Sequence, residues 1–125
     1  MFEFSNKNGV YKGFYKNGLR NGQGEQYYNN GDYYIGQFKN DLPHGTSGQY
    51  SCLNGFLYDG EFHNGYRHGY GKITFPDGSI YEGNVRWNLK HGTGKYTNSD
   101  KLYKYNGYWK LDTMWGYGIK EFQDK

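Results

Sequence analysis

Apolar and polar residues alternate along this chain in short bursts that return at a nearly constant interval. Tyr11, Gly13 and Tyr15 form the first burst; Tyr34-Gly36-Phe38, Tyr58-Gly60-Phe62, Tyr81-Gly83-Val85 and Tyr105-Gly107-Trp109 repeat it. The residues between them, such as Asp59, Glu61 and His63, are mostly polar. A period of two predicts strands with one buried face. A second strand is predicted after each Gly-x-Gly, with Tyr28, Ile73 and Phe75, Tyr96, or Phe122 on its apolar side. The breaks carry turn chemistry. Asn17-Gly18 and Asn64-Gly65 end first strands, while Asn30-Gly31, Asn54-Gly55 and Asp77-Gly78 end second strands. Such pairs tolerate positive φ and favour tight hairpins.

The bursts are copies of one unit. Tyr-x-Gly begins at Tyr11, Tyr34, Tyr58, Tyr81 and Tyr105, at spacings of 23, 24, 23 and 24 residues. Eleven residues after each Tyr stands Gly22, Gly45, Gly69, Gly92 or Gly116. In four copies a second Gly follows as Gly-x-Gly; the second copy reads Gly45-Thr46-Ser47-Gly48, which accounts for its extra residue. In the fourth copy the extra residue lies near Leu102–Lys104. Phe2 and Phe4 alternate ahead of Asn8-Gly9, so residues 1–10 read as the trailing strand of a leading half-repeat. Residues 1–125 form one array of about five hairpins, leaving no room for a separate catalytic domain. The glycines on the apolar face are explained if a neighbouring aromatic ring lies across each one.

Composition sharpens this. The chain has 21 Gly, 16 Tyr and 8 Phe but no Ala, which disfavours long helices. Only 2 Pro and many aromatics argue against disorder. A formal charge of +3 with interleaved signs is no nucleic-acid or membrane footprint. No apolar run reaches the roughly 18 residues of a membrane span, and the first ten residues lack a secretory pattern. Cys52 is the lone cysteine and suits a reducing compartment. The excess of Lys over Arg, with frequent Asn and Tyr, hints at an AT-rich genome such as a protist's.

Candidate chemistry is sparse. His44, His68 and His91 each follow their repeat Tyr by ten residues, so they recur once per two strands, roughly 10 Å apart. That is too far for one zinc, whose ligands approach to about 2.1 Å, and no metal site is expected. Gly69-Tyr70-Gly71 lacks the third glycine and the helix of a dinucleotide fingerprint. Lys12-Gly13-Phe14-Tyr15 departs from an RNA-recognition signature at Tyr15, and no nucleic-acid partner is expected. Cys52 reads as a small buried hydrophobe, and no catalytic triad or cofactor is indicated.

Tyr58-Asp-Gly-Glu-Phe-His-Asn-Gly65, followed by His68-Gly-Tyr-Gly71 and Pro76-Asp-Gly78, resembles the membrane occupation and recognition nexus (MORN) repeat; Tyr81-Glu-Gly83 with His91-Gly-Thr-Gly94 is similar. The departures are Leu42-Pro43, the split glycine pair of the second copy, Lys101 in place of a turn glycine, and Leu111-Asp112 in place of Asn-Gly. Reshaped loops are expected there on an unaltered strand pattern. The resemblance covers residues 11–125. It implies an all-β fold, an elongated, curved, single antiparallel sheet of tandem β-hairpins with an aromatic concave groove. It also implies attachment and assembly roles like those of junctophilins, radial spoke head proteins, and regulatory regions attached to lipid kinases or methyltransferases.

About 11 strands at roughly 4.8 Å make a sheet on the order of 50 Å across. A single layer leaves part of its aromatic face accessible, and such a strip marks a binding surface. The expected function is a non-catalytic scaffold or adaptor, a structural subunit of a cytoplasmic, cytoskeletal or ciliary assembly. Its groove residues are expected to be Tyr11, Tyr15, Tyr34, Phe38, Tyr58, Phe62, Phe75, Tyr81, Tyr96, Tyr105 and Trp109, holding a helix or extended segment of a protein partner. Unpaired terminal strands allow a homodimer. Two alternatives are a peripheral tether on anionic phospholipid, using Lys12, Lys16 and Lys39 but interrupted by Asp59, Glu61 and Glu82, and a regulatory subunit of an enzyme complex.

Overall fold

The structure is a computed structural model that describes residues 2–6, by their backbone alone, and 9–124. Its strands are β1 (Phe2–Asn6), β2 (Gly9–Lys16), β3 (Leu19–Tyr28), β4 (Tyr33–Lys39), β5 (Leu42–Ser51), β6 (Leu57–His63), β7 (Tyr66–Thr74), β8 (Ile80–Arg86), β9 (Leu89–Thr97), β10 (Tyr103–Lys110) and β11 (Thr113–Phe122). They form one open antiparallel sheet in sequential order, with no helix among the described residues. This is the expected all-β array of hairpins. β1 pairs with β2 as the predicted leading strand; Met1, Lys7 and Asn8, within the predicted half-repeat, lie outside the described residues.

The core of this single layer is made by the repeat tyrosines lying on glycine. Gly60 of β6 and Gly71 of β7 stand opposite each other, and the Tyr58 ring covers both. A Cβ built on Gly60 would meet Gly71 Cα at 2.5 Å and the Tyr58 hydroxyl at 2.9 Å. The absent side chains are what let the ring lie flat, as the sequence pattern suggested. Tyr11, Tyr34, Tyr81 and Tyr105 do the same over their own glycine pairs.

Each first strand also slips register between the Gly and the residue two further on. Such a bulge leaves its extra residue outside the ladder. The tyrosine hydroxyl takes up the carbonyl at that place: Tyr11 donates to Phe14 (2.9 Å), Tyr34 to Gln37 (2.7 Å), Tyr58 to Glu61 (2.6 Å), Tyr81 to Asn84 (2.6 Å) and Tyr105 to Tyr108 (2.9 Å). Ring burial and backbone satisfaction are thus one device, which explains why Tyr rather than Phe stands at these five positions.

Adjacent copies are stitched by the aromatic four residues after each Tyr. Phe38 sits edge-on between Tyr11 and Tyr34, Phe62 between Tyr34 and Tyr58, and Trp109 between Tyr81 and Tyr105, with centroids 5.0–5.4 Å apart. Val85 takes this place in the fourth copy and is equally buried. Trp109 Nε1 additionally donates to the Gly94 carbonyl at 3.1 Å.

The turns within the hairpins are all alike. Both central residues have positive φ in Asn17-Gly18, Asn40-Asp41, Asn64-Gly65, Trp87-Asn88 and Leu111-Asp112. The expected reshaping at Leu111-Asp112 is therefore absent, since Leu111 accepts φ 49° and Asp112 φ 70°. Lys101 likewise takes φ 65°, the place held by Gly31, Gly55 and Gly78 in the other connections. There the extra residue, Leu102, lengthens the loop, so that Asn98 N–H reaches the Tyr103 carbonyl at 3.1 Å. Only the split glycine pair of the second copy widens a bulge, between Gly45 and Gly48.

Candidate functional site

The tyrosine face divides into a sealed floor and a half-open rim. Tyr11, Tyr34, Tyr58 and Tyr81 have no exposed surface, and Phe38, Phe62, Tyr105 and Trp109 retain 3–6%. Burial pushes the phenols of Tyr34, Tyr58 and Tyr81 far above the ordinary tyrosine range. These eight residues of the expected groove are occupied with glycine and with one another. In this arrangement they present almost no surface to solvent. Tyr15, Phe75 and Tyr96 of the expected set are half-buried and remain touchable. Tyr28, Tyr50, Phe56 and Tyr103 join them on the same rim. Phe56 and Tyr103 precede their repeat Tyr by two residues, so strand parity was the signal that could have found them.

Cations lie among these rings, a feature that sequence reasoning missed. Arg20, Arg67 and Lys90 each stand nine residues after their repeat Tyr, a column readable from the repeat alignment. The Arg20 guanidinium lies 4.8 Å from the Phe38 centroid, Arg67 lies 5.0 Å from Phe56, and Lys90 Nζ lies 5.3 Å from Trp109 and 5.5 Å from Phe75. Rings that flank a cation this closely attract it through their electron-rich faces.

Each cationic residue is latched by a hairpin turn of a later copy. The backbone N–H groups of Arg20, Arg67 and Lys90 donate to the side-chain oxygens of Asp41, Asn88 and Asp112, each at 2.8 Å. The reciprocal N–H groups of Asp41, Asn88 and Asp112 donate back to the carbonyls of Arg20, Arg67 and Lys90. Side-chain charges close two of these latches: Arg20 Nε is 3.1 Å from Asp41 Oδ1, and Lys90 Nζ is 3.5 Å from Asp112 Oδ1. Burial alone would raise the Asp41 carboxyl; hydrogen bonds from Arg20 and its charge outweigh that and hold it below the ordinary carboxylate range.

A depression on this face lies at the third copy and has a volume of about 350 Å³. Asp32, Tyr50, Cys52, Phe56 and Arg67 line it above the sealed Tyr58 and Phe62. Asp32 is already held by Tyr50 Oη at 3.0 Å and by the Leu53 N–H at 3.2 Å. Burial raises the Cys52 thiol above its ordinary pKa, which keeps it protonated and a poor nucleophile.

The histidines sit along the turns. His63 stands between His44 and His68, with ring centroids 5.0 and 5.8 Å away, a neighbour the ten-residue column did not reveal. His44 Nδ1 accepts from Asn64 N–H at 3.1 Å and His68 Nδ1 from Trp87 N–H at 3.2 Å. Both are turn fasteners. Among the described residues no group of three or more His, Cys, Asp or Glu is placed to hold a metal ion. Of the proposed basic patch, Lys12 stands opposite Glu25 in the β2–β3 register.

No curated protein matches the chain. The family model described as MORN repeat matches residues 11–33, 34–46, 58–80, 81–102 and 105–125, starting at the same five tyrosines that seal the floor of the sheet. With the five copies spanning residues 11–125, the chain belongs to the MORN repeat family.

Proposed function

We propose that this chain is a non-catalytic scaffold or adaptor whose tyrosine face holds a segment of a protein partner. The observation that carries this reading is the row of half-buried rings, Tyr28, Tyr50, Phe56, Phe75, Tyr96 and Tyr103, packed against the buried floor and still partly open to solvent. Half-exposed aromatics give contact area and hydroxyls at small entropic cost, as recognition surfaces do. The setting we propose is a cytoplasmic cytoskeletal or ciliary assembly, a reading supported by family resemblance alone.

The test is affinity capture from native extract with the wild-type chain and with Tyr50→Ala/Phe56→Ala. These rim residues are the right ones to remove, because Tyr58→Ala would open the floor and confuse misfolding with lost binding. The variant should keep its β-rich circular dichroism and lose a defined set of proteins. Equal capture by both baits would take the tyrosine face out of the mechanism. Binding only to anionic liposomes, abolished by salt, would replace the protein partner by a membrane surface.

A further inference from the structure

The three latched cations of the tyrosine face are not equivalent. Arg20 has every guanidinium nitrogen engaged: Nε on Asp41 Oδ1 at 3.1 Å, Nη2 on the Asp41 carbonyl at 2.7 Å, and Nη1 on Gln26 Oε1 at 3.0 Å. A carboxylate neutralises it. Lys90 is neutralised in the same way by Asp112.

Arg67 has the same two latch bonds, Nε to Asn88 Oδ1 at 3.3 Å and Nη2 to the Asn88 carbonyl at 3.0 Å, but its partner is a neutral amide. Its Nη1 has no hydrogen-bond partner among the described residues. The reason is legible in the repeat: Ile73 occupies the position that Gln26 holds in the first copy, and an aliphatic side chain accepts nothing. Among the described residues no carboxylate comes within 4.0 Å of Arg67. Asp32 lines the same depression beyond that distance and is occupied by its own turn. Burial draws the Arg67 pKa below its ordinary value, and the charge of Asp112, which is paired with Lys90 and lies beyond ion-pair distance of Arg67, does not restore it. A partly desolvated guanidinium with one idle edge and no anion is costly by itself and becomes favourable once a carboxylate meets it.

Surrounding chemistry fixes what that carboxylate must be attached to. Phe56 lies under the guanidinium at 5.0 Å and Tyr50 flanks the same depression. An apolar neighbour in the ligand would be seated on these rings. We propose that Arg67 anchors the partner of the tyrosine face by binding an aspartate or glutamate side chain flanked by apolar residues in a protein segment. This rests on the protein-binding reading above and names the chemistry of its partner. The position of Asn88 is then the specificity switch, because an aspartate there, as in two other copies, would supply the missing charge internally.

The test is a display selection of randomised twelve-residue peptides on the full chain, followed by affinity measurement on wild type, Asn88→Asp and Tyr50→Ala/Phe56→Ala. Asn88→Asp should fold and melt at or above the wild-type temperature, since Asp41 and Asp112 already occupy that turn position elsewhere. Peptides selected on wild type should share an Asp or Glu beside apolar residues. They should bind Asn88→Asp about tenfold or more weakly, and lose as much when that acid is made an amide. Selected peptides without a shared acid, or binding Asn88→Asp within about twofold, would overturn the anchor. So would a selection that yields no binder. If Asn88→Asp binds normally but Tyr50→Ala/Phe56→Ala does not, the rim is a binding site and only the anchor falls. If both variants bind as wild type does, both readings fall.

Discussion

The third hairpin (β6–β7) and the last (β10–β11) are built on the same plan and sit in different surroundings. Tyr58 covers Gly60 and Gly71 just as Tyr105 covers Gly107 and Gly118, and both hydroxyls close on a bulge carbonyl. Yet Phe75, just after β7, is half-buried, whereas its counterpart Phe122 in β11 is 75% exposed. The tyrosine-on-glycine device is therefore internal to a hairpin, while coverage of the second strand comes from the hairpin that follows it. Stability in such an array is a sum of unit terms and nearest-neighbour terms.

The sharpest way to break the comparison is to insert a side chain under each ring. In Gly60→Val the new Cβ meets Gly71 Cα at 2.5 Å and the Tyr70 carbonyl at 2.6 Å, backbone atoms that cannot step aside. Gly107→Val meets the Tyr105 hydroxyl and the Tyr117 carbonyl, both at 2.7 Å. The interior variant should lose about 3 kcal/mol and melt about 10 °C or more below wild type. The terminal variant should cost the array much less, because the last hairpin can open alone. Equal melting temperatures would mean that the sheet unfolds as one block and that the neighbour terms dominate.

A smaller cut removes one atom. Tyr58→Phe keeps the ring over its glycines and deletes the 2.6 Å bond to the Glu61 carbonyl, leaving that buried-side acceptor short of a donor. About 1 kcal/mol should be lost, measured by urea titration. Tyr105→Phe should cost a similar local amount, seen as faster hydrogen exchange confined to β10 and β11. A loss near zero at both sites would show that the hydroxyls are replaced by water and that the rings alone carry the device.

The hairpin plan was legible because its causes are local: alternation in β6, Asn-Gly at Asn64-Gly65, and a glycine wherever a ring must lie. Even Leu111-Asp112 keeps the turn, since the strand ends impose it on residues that would not choose it. The binding face was legible only as a face. Which rings stay open depends on how deeply each is overlain by its neighbours, and single-strand alternation does not encode that: Tyr58 and Tyr50 share parity, yet one is fully buried and the other half-buried. The latches were missed for a related reason. Arg67 and Asn88 are 21 residues apart and become partners only when one hairpin is laid beside the next.

The finest difference between the interior and the end is a single hydrogen bond at the turns. His44 Nδ1 accepts the Asn64 N–H and His68 Nδ1 accepts the Trp87 N–H, so each ring carries its proton on Nε2 and is neutral when the bond is made. His91 stands at the same place in the fourth copy, but its buried Nδ1 has no partner, so the last turn has its latch to Lys90 and lacks the histidine bond. Burial, with His63 and Lys39 nearby, holds the His44 pKa below the ordinary histidine value of about 6.5. The unfolded ring therefore takes up a proton at a higher pH than the folded one. The contribution of this fastener is fully present above the ordinary histidine range and is lost as pH falls through it toward the depressed folded value. His44→Gln offers an acceptor that does not titrate. Between about pH 7.5 and about pH 5 the wild-type melting temperature should fall further than that of His44→Gln. Exchange of the Asn64 amide should accelerate on acidification relative to the Leu111 amide, which has no histidine to lose. Parallel curves for the two proteins would mean that the turn is held by its φ angles alone, and the interior would then differ from the end only in what lies beside it.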